Sequence, residues 1–179
     1  MKKAIVLAMM ICLASASAFA SLGIRGIYFS PSDENFKSIY GAGWMYGGEL
    51  SFRITKGVFL WLGGSYYSKT GSLTYTLEET KLTLIPVGGG LKFELLGEKI
   101  ISPYFAAGVN YFLYKESNVI GDVNKGGVGF IGKAGLCLNL AKEFAVDFYG
   151  GYSSCKFTPA DFEINVGGLE AGAGLVLRF

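Results

Sequence analysis

The fold class predicted by the sequence is all-β: an eight-stranded antiparallel up-and-down transmembrane β-barrel. Three observations carry it. Apolar residues recur with period two in stretch after stretch, the pattern of strands with one greasy face. The chain is hydrophobic overall, with mean hydropathy +0.39, 27 glycines and 15% aromatic residues. Past residue 20, however, it holds no unbroken apolar run of the ~18 residues that a membrane helix needs. Finally, tight turns alternate with longer polar segments, the plan of an up-and-down meander. Backbone groups inside a bilayer must be hydrogen-bonded within the protein, so a hydrophobic chain without such helices crosses as a closed barrel.

The start of the chain, MKKAIVLAMMICLASASAFA, reads as a secretory signal peptide. Lys2 and Lys3 form a basic n-region, Ala4 to Leu13 an apolar core, and Ala18-Phe19-Ala20 an A-x-A site with cleavage between Ala20 and Ser21. A short N-terminal anchor is the competing reading, disfavoured by length and flanks. Cys12 is not expected to be a lipoprotein cysteine, because Ile11 stands where a small residue is wanted. The expected layout is a signal at 1–20 and one barrel domain at 21–179. Two of the sixteen basic residues leave with the signal, so 14 basic face 14 acidic residues. That balance argues against nucleic acid or another polyanion as partner. Cys137 and Cys155 remain, and the strand map places them at opposite heights of adjacent strands, beyond the ~7 Å Cα limit of a disulfide. Two free thiols are expected.

Taken in order, Leu22 to Ser30 is the first strand, with Leu22, Ile24 and Tyr28 on one face and Arg25 on the other. Pro31 to Tyr40 is polar and turn-rich, expected as a loop. In the second strand, Ala42 to Ile54, Trp44, Tyr46, Leu50, Phe52 and Ile54 oppose Glu49, Ser51 and Arg53. Thr55-Lys56-Gly57 is a hairpin turn. Strand three, Val58 to Ser68, has ambiguous parity because Phe59 and Trp61 face away from Val58, Leu60 and Leu62. After a polar loop, Lys69 to Thr80, strand four runs from Lys81 to Leu95 and sets Ile85, Val87, Leu91 and Phe93 against Gly88, Gly90, Lys92 and Glu94. Gly97-Glu98-Lys99 turns the chain into strand five, Ile101 to Lys115, whose apolar face carries Phe105, Val109, Tyr111 and Leu113. Glu116 to Gly127 is expected as a third long loop. Strand six, Val128 to Leu140, turns at Ala141-Lys142 into strand seven, Glu143 to Ser154. Their polar faces carry Lys133, Cys137 and Asn139, and then Asp147 and Ser153. A fourth loop, Cys155 to Glu163, precedes the closing stretch Gly167 to Phe179.

Periodicity alone does not say which face looks outward. A lipocalin also has eight strands and a signal peptide, but points its apolar residues inward. Here the charged face also carries many of the glycines, which suits a narrow lumen. The apolar face is graded, with Tyr28, Trp44, Tyr46, Tyr66, Tyr111 and Tyr152 toward the long-loop end and Phe52, Phe93, Phe144 and Phe179 toward the short-turn end. Two aromatic girdles around an aliphatic waist are what a bilayer selects.

The closing stretch GGLEAGAGLVLRF alternates Leu169, Ala171, Ala173, Leu175, Leu177 and Phe179 with Glu170, Gly172, Gly174, Val176 and Arg178. It resembles the last strand of bacterial outer-membrane β-barrels, in which a terminal Phe preceded by alternating apolar residues is read by the assembly machinery. Ile85-Pro86 and the run Ser102-Pro103-Tyr104-Phe105-Ala106-Ala107-Gly108-Val109, a PY-x-x-x-G pattern, are similar to recurrent features of the small barrels typified by the OmpA transmembrane domain and OmpX-like proteins. The resemblance spans the chain after the signal. It implies a bacterial outer-membrane location, membrane lipids and the barrel assembly machinery as partners, and Leu175, Leu177 and Phe179 as the assembly signal. It leaves no room for a peptidoglycan-binding domain. A monomer is expected.

For chemistry the sequence offers little. It has no histidine, the acid or base on which enzymes among outer-membrane barrels resemble one another in relying, so no catalysis and no cofactor are expected. Glu49, Glu94, Asp147 and Glu170 are expected inside the lumen facing Arg25, Arg53, Lys92 and Lys133, a balanced set that reads as a neutralising network. Leu82, Leu84 and Phe112 on the inner face near the loop end keep a path for apolar solutes open as an alternative. The loops lack metal-binding spacing. The expected role is structural, in envelope integrity or surface contact. A narrow porin-like channel and an adhesin acting through its loops are the alternatives.

Overall fold

The computed structural model describes residues 20–72, 79–96, 99–119, 121–157 and 164–179. Eight strands close into one antiparallel barrel. They are β1 (Ala20–Pro31), β2 (Gly43–Thr55), β3 (Val58–Ser72), β4 (Glu79–Glu94), β5 (Ile101–Asn118), β6 (Gly121–Asn139), β7 (Phe144–Ser154) and β10 (Gly168–Arg178). Each pairs with its sequence neighbour, and β1 pairs with both β2 and β10 to close the ring. A two-residue pair, β8 (Lys156–Phe157) with β9 (Ile164–Asn165), lies beside the barrel. The signal expected at 1–20 lies outside the described residues except for Ala20, its last residue, where β1 begins.

The exposed face is the apolar one. Trp44, Tyr46, Val109, Phe130, Leu175 and many other large hydrophobics are exposed around the wall, far more apolar surface than a water-soluble domain presents. Tyr28 pairs with Trp44, and Tyr46 with Tyr66, at one height; Phe93 pairs with Phe105 near the short turns. No helix among the described residues is long and apolar enough to cross a membrane.

Three features at the long-loop end differ from the expected loops, the first being that β3 and β4 stay paired out to Ser72↔Glu79, inside the expected loop Lys69–Thr80. Within Pro31–Tyr40 lies a helix, α1 (Glu34–Tyr40), that polar composition had hidden. Asp33 caps it by accepting from Phe36 N at 3.0 Å, Glu34 suits the positive end of its first turn, and Gly41 at φ 66° ends it. Its apolar side chains, Phe36 and Tyr40, are one turn apart and both buried, with ring centroids 5.1 Å apart. The stretch Glu116–Gly127 is not a long loop either: β5 and β6 stay paired out to Asn118↔Gly121. These strands of 18 and 19 residues exceed the ~9–11 that a tilted strand needs to cross a bilayer, so the hairpin projects beyond it. Outside the bilayer both faces of a hairpin meet water, and a polar strand there looks like a loop by composition.

The β3–β4 ladder lapses between Gly64↔Val87 and Tyr67↔Leu84, opposite Pro86, which has no N–H to donate. Gly57, at φ 78°, makes the β2–β3 turn. At Gly90 a Cβ would lie 2.0 Å from Ala107 O, so the close approach of β4 and β5 requires glycine.

Candidate functional site: a lumen in two tiers

The lumen is filled throughout, by different chemistry at each end. In the short-turn half, Glu49 on β2 is the hub. Its carboxylate takes Arg25 Nη1 at 2.5 Å and Nη2 at 3.0 Å in a bidentate pair, and Lys133 Nζ at 2.9 Å. Lys92 Nζ lies 3.9 Å from Glu49 Oε1 and 3.9 Å from Glu94 Oε1. Arg25 Nη2 also stands 2.7 Å from Asp147 Oδ2 on the far side of β10, where Gly174 pairs with both residues, a charge contact without hydrogen-bond alignment. Arg25 and Glu49 are 6% exposed and Asp147 is 2% exposed, so each depends on its partners in place of water.

Aromatic rings line this network. Lys133 Nζ sits 3.8 Å over the Trp61 ring, Lys92 Nζ is 5.3 Å from both Phe59 and Tyr104, and Arg25 lies 5.0 Å over Tyr149. The ambiguous parity of β3 is thereby resolved. Phe59 and Trp61 point inward to the cations, and Leu60 and Leu62 point to lipid.

The other expected charges lie at the margins of the network. Arg53 is exposed at the mouth, its guanidinium 5.5 Å over the Phe59 ring. Glu170 is buried higher in the lumen and accepts from Ser153 Oγ at 3.1 Å and Tyr149 OH at 3.4 Å, not from a cation. Sequence reasoning did not name Trp61, Tyr104 or Tyr149 as partners of the charges. The signal available was parity: Tyr149 is two residues from Asp147, and Trp61 two from Phe59, so each pair shares a face.

Toward the long loops the filling turns apolar. Ile27, Phe29, Met45, Tyr67, Leu82, Leu84 and Phe112 pack into one buried cluster, and Phe36 and Tyr40 of α1 join it. A small polar knot fastens this cap: Tyr40 OH meets Thr80 Oγ1 at 3.1 Å, Thr80 donates to Glu116 Oε1 at 3.1 Å, and Tyr114 OH donates to Glu116 Oε2. Burial pushes the Tyr40 hydroxyl above the usual tyrosine range.

Open space follows the same division. A cavity of about 560 Å³ enters from the short-turn end, lined by Arg25, Arg53, Lys92, Lys142 and Arg178 and by Glu49, Glu94 and Asp147. Between the tiers, beside Trp61, Lys133 and Glu170, a void of only about 40 Å³ remains, room for a few waters at most. Cys137 faces the larger cavity, with Arg178 Nη2 3.5 Å from its Sγ. Cys137 and Cys155 are both free and buried. Among the described residues no three His, Cys, Asp or Glu side chains gather in a way that could hold a metal ion.

The profile described as "Outer membrane protein beta-barrel domain" matches residues 4–179. The chain belongs to this family. It is accordingly a bacterial outer-membrane protein in a lipid environment. Several solved structures share its architecture at low identity. Neisserial surface protein A (NspA) superposes with TM-score 0.68 at 15% identity, covering 89% of this chain and 97% of its own. OprG from Pseudomonas aeruginosa gives 0.66 at 14% identity, over 92% and 98%. Ail, the attachment invasion locus protein of Yersinia pestis, gives 0.56 at 14% identity, over 91% and 99%. No curated protein sequence matches the chain. At these identities the likeness establishes the fold. The outer-membrane barrel plan places the short turns, and with them the mouth of the cavity, on the periplasmic side.

Proposed function

We propose that this protein is a structural, non-enzymatic outer-membrane barrel whose closed lumen serves envelope integrity or surface contact. The observation that carries the reading is the two-tier filling: a buried ion network below an apolar plug, with only about 40 Å³ of space between them. Export by the N-terminal signal with cleavage at Ala20–Ser21, recognition of Leu175, Leu177 and Phe179 by the barrel assembly machinery, and a monomeric state complete it. Single-channel recording of the refolded protein in planar bilayers tests it, with heat-modifiable gel migration certifying the fold. Silence is expected. Steady openings that Glu170→Gln alters would overturn the closed reading in favour of a narrow channel, for which the periplasmic cavity is the favouring observation. The projecting β5–β6 hairpin favours a third reading, adhesion, tested by loss of cell binding when residues 116–123 are exchanged.

A further inference from the structure

The cavity at the short-turn end is not neutral. Five basic side chains line it against three carboxylates, and the carboxylates near its floor are already engaged: Glu49 by Arg25 and Lys133, Asp147 by Arg25. The cations nearer the mouth come from different elements, Arg53 on β2, Lys92 on β4, Lys142 in the β6–β7 turn and Arg178 on β10, so they converge on the space from several sides. Lys92 stays 3.9 Å from each of its two carboxylates, a loose contact for an ammonium. Arg178, half-buried, directs Nη2 at a thiol, a weak acceptor for a guanidinium. Low-dielectric walls around a like-signed cluster focus its field and raise the local concentration of counter-ions.

From this arrangement we propose that the vestibule is a binding site for a small periplasmic anion bearing a phosphate group, held by Arg178 and Lys92 with Lys142 at the rim. The engaged carboxylates of the floor keep the anion in the outer part of the cavity, where the basic side chains Arg53, Lys92, Lys142 and Arg178 outnumber the acidic one, Glu94. A blind pocket of this kind needs no passage through the lumen, so the site is independent of whether the barrel conducts.

The test is an amide-resolved NMR titration of the refolded protein in uncharged maltoside micelles. Inorganic phosphate replaces chloride at constant ionic strength. Saturable shifts are expected at Cys137, Asn139 and Val176, which line the cavity, with none in the β5–β6 hairpin. Arg178→Gln should weaken binding about tenfold or more, as loss of a charge-assisted hydrogen bond does. Because Arg178 lies in the closing strand, Lys142→Gln, in an exposed turn, serves as a second variant and should weaken binding a few-fold. Heat-modifiable migration checks that each variant is folded. A second arm compares nanodiscs of zwitterionic lipid with nanodiscs containing phosphatidylglycerol. Response to free phosphate supports the small soluble anion, whereas response only to the anionic nanodiscs assigns the site to a lipid headgroup at the mouth and overturns it. No response in either arm, or binding indifferent to both substitutions, overturns the proposal.

Discussion

The two halves of this lumen solve the same packing problem by opposite means. Both must fill the bore of an eight-stranded barrel, which is about as wide as the side chains pointing into it. On the periplasmic side the filling is a network in which one carboxylate, Glu49, answers three cations. On the outer side it is a hydrophobic core continued by the buried side chains of α1, Phe36 and Tyr40. The difference shows how each half is supported. A buried ion network is held by the completeness of its partners, so removing one member strands the others. A hydrophobic plug is held by area and shape, and loses stability in proportion to what is removed.

That contrast can be broken most sharply at Glu49. Glu49→Ala removes the carboxylate shared by Arg25, Lys133 and Lys92, leaving Asp147 to Arg25 and Glu94 to Lys92, and should cost ~3–5 kcal/mol in urea-induced unfolding followed by gel migration. A cost below about 1 kcal/mol, within the range of exposed pairs, would mean that water from the cavity already screens the network. In the plug, Leu84→Ala should cost ~2–5 kcal/mol, growing with the void left behind. Glu49→Ala with Leu84→Ala should then be additive if the tiers are independent; a coupling above ~0.5 kcal/mol would join them. The outer wall supplies the control. Leu175→Arg puts the same kind of charge on the lipid face and should cost ~2–4 kcal/mol, seen as reduced membrane yield. Normal yield would remove lipid from that side.

The smallest effect is expected at the cap. Tyr40→Phe removes one hydrogen bond to Thr80 and should cost ~1 kcal/mol locally, visible as faster amide exchange in α1 while the barrel strands stay protected. The same site predicts a pH response. The buried Tyr40 hydroxyl keeps its proton at a pH where the unfolded chain has lost it. Cap stability is therefore full below the ordinary tyrosine value of 10.0 and falls as pH rises from there toward the raised one. Tyr40→Phe should abolish the part of the alkaline loosening of α1 that Tyr40 contributes. Unchanged loosening would assign the response to another group.

How much of this was legible in the sequence depended on whether one physical force decided each position. The lipid-facing residues were legible because a bilayer rewards one property, and Trp44, Tyr46, Leu175 and their neighbours repeat it strictly every second residue. The inward position of Arg25, Glu49, Lys92, Lys133 and Asp147 followed from the same parity. Their pairing with rings did not, since Phe59 and Trp61 are apolar by composition but face cations, and only their neighbours across the barrel decide which property matters. The helix α1 was hidden because its polar residues suit a loop equally well, although Asp33 and Gly41 stand at its two ends as capping residues do. The length of β5 and β6 was hidden for a related reason: beyond the membrane, polarity no longer separates strand from turn.

The closure of β1 on β10 has a consequence in time. Eleven register pairs, from Ser21↔Arg178 to Pro31↔Gly168, join segments from opposite ends of the chain. Such pairs have the greatest loop entropy to overcome and give no local reward before the intervening strands are aligned. Until β10 arrives, β1 and β7 each expose a row of unpaired backbone groups that a bilayer cannot satisfy. Closure of β1 on β10 is therefore the pairing with the largest loop entropy to overcome, and an open sheet would carry two unsatisfied edges until it forms.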